Sequence, residues 1–145
     1  MIMKRKSVYL IFFAVFLNTG FMQDNNLLDG KVFYGKAIEV TSPDVNRIPE
    51  LRDEVIVFNN GKVTCELFKN YSKNESEYTA EVDGRRAIAV EVITFTSTLK
   101  AEISDKEVII EFSGEVYAGE KLTGVLKISY PSSKTEEYSI VGEVR

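Results

Sequence analysis

The sequence predicts an all-β fold, an antiparallel up-and-down β-barrel of roughly eight strands that follows an N-terminal signal helix. Three observations favour this fold. Apolar and polar residues alternate with a period of two through most of the chain after the N-terminal segment, which is the pattern of half-buried strands. Short turn sequences separate the alternating segments. Glycines take the place of apolar residues at three positions near the end of the chain, as expected of tightly coiled strands.

The N-terminal segment has the composition of a secretory signal peptide. Residues 4–6 (KRK) are basic, residues 8–17 (VYLIFFAVFL) are apolar and residues 18–20 (NTG) are polar, in the order found in signal peptides. The apolar stretch is shorter than the roughly 20 residues that a membrane-spanning helix needs. We therefore expect a secreted or periplasmic protein with no stable membrane span after cleavage. An N-terminal anchor that stays attached is the alternative.

The signal peptide also sets the domain boundary. Cleavage is expected between Gly20 and Asn25, and we divide the chain into a signal peptide, residues 1–22, and a barrel domain, residues 23–145. A domain of this length is long enough to bury a core without disulfides or metals.

The first part of the barrel domain is predicted to contain three strands. Residues 31–41 alternate and form the first strand. Residues 42–54 (SPDVNRIPELRDE) contain two prolines and are predicted to form a loop, with a helical turn at residues 49–52. Residues 55–68 (VIVFNNGKVTCELF) place two apolar strands on either side of Asn60-Gly61, the strongest short hairpin pattern.

The remaining residues predict five more strands. Residues 69–77 form a polar turn, and residues 76–95 contain two strands around Asp83-Gly84. A turn at Ala118-Gly119 joins two of the last three strands. These last strands are Glu107–Tyr117, Lys121–Tyr130 and Glu136–Arg145. Eight strands with mostly short connections form a meander, and closing the meander into a barrel removes its unpaired edges.

Three glycines support closure into a barrel. Gly114, Gly124 and Gly142 belong to the apolar sets of the last three strands. Because alternate residues of a strand share a face, we expect all three to point inward, where missing side chains let coiled strands approach one another. The alternative is an open sandwich in which the glycines are unrelated.

Charge and cysteine content exclude several classes of protein. The chain has 18 basic and 22 acidic residues; three of the basic residues lie in the signal peptide, which leaves a net charge of −7 on the barrel domain. Such a surface repels nucleic acid and anionic lipid. Cys65 is the only cysteine, so no internal disulfide can form. We expect its thiol to be a small buried apolar group; a reactive or intermolecular thiol is the alternative.

The sequence predicts no catalytic site, cofactor or metal. It contains no histidine, which excludes Ser-His-Asp and Cys-His nucleophiles and histidine-rich zinc sites. Glu111 and Glu115 share a strand face about 13 Å apart, at about 3.3 Å per residue, which is wider than glycosidase carboxylates require. We assign both to a solvated outer face. The acidic residues between Glu75 and Asp83 lack the pattern of a calcium-binding loop.

The barrel interior is the predicted functional site. An eight-stranded barrel is wide enough either to be filled by its own side chains or to hold one small ligand. We expect the inward-facing residues to bind a small apolar or amphipathic molecule, with Tyr130 and Tyr138 at the mouth of the cavity; plain core packing is the alternative. These residues are Val63, Leu67, Val90, Val92, Ile110, Phe112, Leu126, Ile128, Tyr130, Tyr138 and Ile140.

A different class of function is also open to the same fold. The barrel could have a solid interior and bind a protein or a cell-envelope component through its outer surface. In that case an exposed apolar patch carries the function. The alternation places Ile93, Phe95 and Val141 on this outer face.

Several short motifs resemble those of small secreted bacterial lipocalin-like (calycin-type) proteins. They lie within roughly the last three-fifths of the chain and specify the fold better than an activity. The resemblance implies a barrel that carries a small ligand without catalysis. The motifs are F-x-x-G-K (Phe58–Lys62), Cys65, Y-T-A-E (Tyr78–Glu81), F-S-G-x-V (Phe112–Val116), L-T-G (Leu122–Gly124) and E-Y-S-I-x-G (Glu137–Gly142).

Overall fold

Eight antiparallel strands close into an up-and-down barrel in which each strand pairs with the next and the last pairs with the first. The computed structural model describes residues 26–40, 46, 48–71, 73–84 and 90–145. The predicted signal peptide lies outside these residues. The elements are β1 (Val32–Glu39), β2 (Leu51–Asn59), β3 (Lys62–Thr64), α1 (Glu66–Lys69), β4 (Ser76–Val82), β5 (Val92–Ile103), β6 (Lys106–Tyr117), β7 (Lys121–Ser129) and β8 (Thr135–Glu143). The predicted fold class is confirmed.

Two-residue turns with positive φ angles join several of the strands. Asn60 and Gly61 have φ angles of 52° and 71°, and Ala118 and Gly119 have 50° and 67°. Both central residues of a type I′ turn need positive φ, and this turn matches the twist of a hairpin. Both predicted turns are confirmed. Ser104-Asp105 forms a third turn of this kind, with φ angles of 49° and 62°. The sequence analysis missed it because neither residue is glycine.

Two segments differ from the predicted elements. Residues 51–54 are not a loop or helical turn, because Leu51–Glu54 pair with β1 residues Gly35–Ile38 and so begin β2. Residues 66–69 form α1 instead of continuing β3. The backbone N–H of Glu66 donates to the Glu54 carboxylate (2.9 Å), so the chain bends into a helical turn across the end of the barrel.

The connection between β4 and β5 is longer than predicted. β4 ends at Val82 and β5 begins at Val92, so Asp83-Gly84 is not a two-residue hairpin turn. β5 then continues beyond the predicted end at Phe95 as far as Ile103. Residues 85–89, which belong to the predicted strand, lie outside the described residues.

The centre of the barrel is filled with aromatic rings. The Phe58 ring lies 6.1 Å from that of Phe33, 4.9 Å from that of Tyr78 and 5.1 Å from that of Phe95, centroid to centroid. The Phe95 ring lies 5.1 Å from that of Phe112. All four contacts are edge-to-face, the geometry in which the positive edge of one ring meets the negative face of another. These side chains are almost completely buried.

The inward glycines form two cross-strand pairs. Gly114 lies opposite Gly124 on β6 and β7, and Gly35 lies opposite Gly142 on β1 and β8. A Cβ on Gly142 would fall 3.1 Å from the Cβ of Phe33, and one on Gly124 would fall 3.0 Å from the Phe112 ring. The predicted inward orientation is therefore confirmed. The sequence analysis did not single out Gly35, which completes the second pair.

Candidate functional site

Most of the residues predicted to line the interior do lie in the core. Tyr130 is half-buried and packs against the core. Val90 is 46% exposed and precedes β5, and Val92 is buried but outside the core cluster, so neither lines the interior. The remaining eight are core residues: Val63, Leu67, Ile110, Phe112, Leu126, Ile128, Tyr138 and Ile140. Their role in ligand binding stays a prediction.

Val90 and Val92 were assigned to the wrong face, and the same exchange of faces affects the predicted outer patch. Ile93 and Phe95 were expected outside, but they are only 6% and 1% exposed and belong to the core. The apolar residues at 90, 92, 93 and 95 fit either alternation, and a shift of one residue exchanges the two faces of a strand. The structure places the larger Phe95 ring inside, against Phe58 and Phe112.

Four pockets in the described part of the chain all open onto the outside of the barrel. The largest of these has a volume of about 610 Å³, and the others have about 370, 310 and 180 Å³. Every buried polar side-chain atom among the described residues has a hydrogen-bond partner, so no unpaired group marks an interior site. The 610 Å³ pocket therefore offers a candidate binding surface on the outside of the barrel.

The 610 Å³ pocket is a groove on the outer face of β7, β8, β1 and β2, and we call it the outer groove. Positively and negatively charged side chains alternate along its walls. Lys36 forms a salt bridge with Asp53 across β1 and β2, and the Lys36 ammonium holds the pKa of Asp53 below its usual range. Lys121 and Glu143 lie 3.7 Å apart (Nζ to Oε1) across β7 and β8.

Aromatic and apolar side chains complete the outer groove. The Arg145 guanidinium lies over the Tyr34 ring, 4.8 Å from its centroid, within range of a cation–π interaction. Val141 lies opposite Lys36 in the β1–β8 register and is 52% exposed. The predicted outward position of Val141 is thus confirmed. The groove therefore combines two ion pairs, an aromatic ring and aliphatic surface.

An uncharged row of outward-facing residues runs beside the outer groove. Successive members are cross-strand partners from β4 through β8 and on to β1 and β2. The adjacent rows carry charges, such as Glu111 opposite Lys127 and Lys36 opposite Asp53. Only the strand register brings these residues into line, so the sequence alone could not reveal them. The row consists of Thr79, Thr96, Ser113, Val125, Ser139, Ile38 and Leu51.

One end of the barrel is covered by α1. Leu67 and Phe68 of this helix are buried, and the Phe68 ring lies edge-on to that of Phe112, 6.4 Å away. The hydroxyl of Tyr71, just after the helix, lies 3.1 Å from that of Tyr130. Tyr138, the other predicted mouth residue, donates to Glu136 at 3.5 Å.

Glu54 is a buried carboxylate at this same end, 2% exposed. It accepts hydrogen bonds from the backbone N–H groups of Glu66 and Leu67. Burial raises the pKa of Glu54 to about 7, although these two hydrogen bonds oppose the shift. The thiol of Cys65 is also buried, and burial raises its pKa above the usual range. This favours the apolar role predicted for the cysteine.

The acidic residues considered in the sequence analysis lie apart from these sites. Glu111 is exposed on the outer face of β6, as predicted. Glu75 is paired with Lys62. Within the described ranges, no three His, Cys, Asp or Glu residues lie together in a way that could hold a metal ion. No helix in the described part of the chain has the length and apolarity to cross a bilayer.

Comparisons with known proteins do not assign the chain to a family. No family model, no curated protein and no solved structure matches it. The lipocalin-like resemblance of its motifs therefore stays a prediction.

Proposed function

We propose that the protein is an exported, non-enzymatic β-barrel that binds a partner protein through the outer groove and the adjoining part of the uncharged row. Export is inferred from the basic, apolar and polar order of residues 4–20. The observation that carries the proposal is the distribution of space: aromatic rings fill the centre of the barrel, whereas the 610 Å³ pocket lies on its outer face.

The composition of the outer groove favours a protein partner. Tyr and Arg are enriched among the residues that dominate protein–protein binding energy, and Tyr34 and Arg145 lie together in the groove. Exposed Val141 and Ile38 add apolar area, and the ion pairs around them form a polar rim. This combination of apolar centre and polar rim is typical of protein interfaces.

A pair of matched variants tests the proposal. Val141 in the outer groove is 52% exposed, and Val82 at the end of β4 is 51% exposed. We expect Val141→Asp to abolish capture of the partner from an envelope extract of the source cells, because the carboxylate would be desolvated in the interface. Val82→Asp should capture normally. Capture is measured by quantitative mass spectrometry after site-specific cross-linking from position 36.

Both variants must keep the circular dichroism spectrum and melting temperature of the wild type, since both side chains are exposed. Equal capture by the two variants would contradict the proposal. Equal loss in both would also contradict it, because the interface would then extend to the opposite face of the barrel.

A further inference from the structure

The segment from Cys65 to Tyr71 closes one end of the barrel without being part of its wall. Leu67 and Phe68 point into the barrel end, and Phe68 contacts Phe112 of β6. Next to this segment the barrel wall has few strand-pairing contacts, since among the described residues β3 pairs with β4 at Lys62–Glu77 and Val63–Ser76 alone. The segment is not itself part of the β5 to β8 ladder.

Polar contacts hold the segment at each end, in addition to the burial of Leu67 and Phe68 in its middle. At its start, the N-cap residue Cys65 makes no side-chain capping hydrogen bond. The Glu54 carboxylate of β2 accepts the free N–H groups of the first turn instead, at 2.9 Å for Glu66. At its end, the hydroxyl of Tyr71 meets that of Tyr130 at 3.1 Å. Both partners belong to the barrel wall, so both contacts must break before the segment lifts.

We propose that α1 is a pH-controlled lid on the barrel interior, held at its start by Glu54 and at its end by the Tyr71–Tyr130 hydroxyl pair. This inference goes beyond the proposed function, because it concerns the interior and not the outer groove.

The charged and titratable groups around Glu54 do not neutralise its charge. Arg52 on the same strand lowers the pKa of Glu54 through its charge, but it forms its salt bridge with Glu50 (3.3 Å). Glu66 on α1 adds a like charge, and the Cys65 thiol is buried nearby. On β1 the residue opposite Glu54 is Gly35, whose partner on β8 is Gly142. Among the described residues, no lysine or arginine forms an ion pair with Glu54.

The direction of the pH effect follows from this environment. Burial raises the pKa of Glu54 from 4.5 to about 7 in the closed state, and lifting α1 returns the carboxyl group to water and to its ordinary value. The closed state therefore has its full stability below the ordinary pKa and loses stability as the pH rises towards 7. Integrated over this interval, the ratio of open to closed lid rises by up to about 300-fold.

Amide hydrogen exchange of the full chain measures the opening directly. After correction for intrinsic exchange rates, protection at residues 67–71 should fall steeply between pH 4 and pH 8, while amides of β6 and β7 should stay protected. Alkylation of Cys65, the only cysteine, by iodoacetamide gives a second measure. Its rate is taken as the ratio of Tyr71→Phe to wild type at each pH, a comparison in which Glu54 is the same in both proteins.

Three variants distinguish the roles of Glu54, Glu66 and Tyr71 in holding α1. Glu54→Gln keeps an acceptor but cannot ionise, so protection at residues 67–71 should become independent of pH. Glu66→Gln, the matched control in the same turn, should keep the dependence. Tyr71→Phe should increase opening at every pH and leave the pH dependence unchanged. The wild type and Tyr71→Phe keep the test decisive if Glu54→Gln fails to fold.

The proposal is overturned if the wild type shows no pH dependence at residues 67–71, or if Glu54→Gln retains it. Loss of the dependence in Glu66→Gln would also overturn it. An unchanged opening equilibrium in Tyr71→Phe would remove the second contact from the lid. None of these outcomes depends on partner capture by the outer groove, so the two proposals fail independently.

Discussion

The two sides of the barrel differ in how firmly their strands are joined. β5 and β6 pair along their whole length, from Val92–Tyr117 to Ile103–Lys106, and β7 and β8 are paired in the same way from Lys121–Glu143 to Ser129–Thr135. On the opposite side, β3 is three residues long, and in the described ranges it meets β4 at two positions. We call β5–β8 the continuous side and β3–α1–β4 the interrupted side.

The two sides therefore differ in the kind of contact that holds them in place. A continuous ladder satisfies its backbone groups by strand pairing alone, whereas the interrupted side relies on individual side chains such as Glu54 and Tyr71. Segments with few packed neighbours and few ladder hydrogen bonds open at lower free energy than the core. The proposed α1 lid lies on the interrupted side, where opening is expected to need less free energy.

The largest expected effect comes from removing a buried aromatic ring, either at the centre of the barrel or on the interrupted side. Phe58→Ala removes a ring that contacts Phe33, Tyr78 and Phe95, and we expect it to reduce the free energy of unfolding by about 4 kcal/mol. Phe68→Ala removes an equally buried ring that contacts Phe112 alone among the aromatic residues described. Because α1 can settle into the space, we expect a smaller loss, about 2 kcal/mol.

Urea denaturation of both variants, followed by far-ultraviolet circular dichroism, gives the two values. A loss for Phe68→Ala as large as that for Phe58→Ala would show that the interrupted side is as firmly packed as the centre of the barrel. The proposed difference in firmness between the two sides would then be wrong.

The glycine pairs give the next largest effect. A Cβ on Gly35 would collide with the carbonyl oxygen of Val141 and with the backbone of Gly142, and a backbone atom cannot move aside as a side chain can. We expect Gly35→Ala to reduce the free energy of unfolding by about 3 kcal/mol. A Cβ on Gly84 would meet no atom within 4 Å. Gly84→Ala is therefore the control and should change stability by less than about 0.5 kcal/mol.

Thermal denaturation monitored by circular dichroism measures both glycine variants. If Gly35→Ala has the melting temperature of the wild type, strands β1 and β8 are able to separate at this level. The β1–β8 pairing that closes the barrel is then weaker than its register implies.

The sequence predicted β6, β7 and β8 better than the remaining strands. The strands that became β6, β7 and β8 alternate cleanly, and one register fits them, so their bounds and their inward glycines agree with the structure. The Asn60-Gly61 and Ala118-Gly119 turns were equally clear, because few residues adopt two successive positive φ angles.

The errors arose where local pattern does not determine the structure. Val90, Val92, Ile93 and Phe95 offer two alternations of similar apolarity, and only packing against Phe58 and Phe112 decides between them. The bend into α1 depends on Glu54, a residue from another strand. The uncharged row exists only once seven strands are placed in register. Contacts between residues far apart in sequence cannot be read from alternation.

The smallest effect tests the Tyr71–Tyr130 hydroxyl pair, which joins the α1 segment to the continuous side. Tyr71 follows α1 and Tyr130 follows β7, and their hydroxyls lie 3.1 Å apart. Burial and the Tyr130 hydroxyl raise the pKa of Tyr71 above its usual range, so the Tyr71 hydroxyl stays protonated at neutral pH. We expect Tyr71→Phe to reduce the free energy of unfolding by about 1 kcal/mol, the usual contribution of one hydrogen bond.

A double-mutant cycle in urea denaturation identifies this contribution, with Tyr130→Phe as the matched variant. Because both single changes remove the same bond, the double variant should lose scarcely more than either one alone. Additive losses would show that the two hydroxyls act separately, each bound to water. Glu54 and the burial of Leu67 and Phe68 would then hold α1 in place, and opening of α1 would no longer depend on Tyr71.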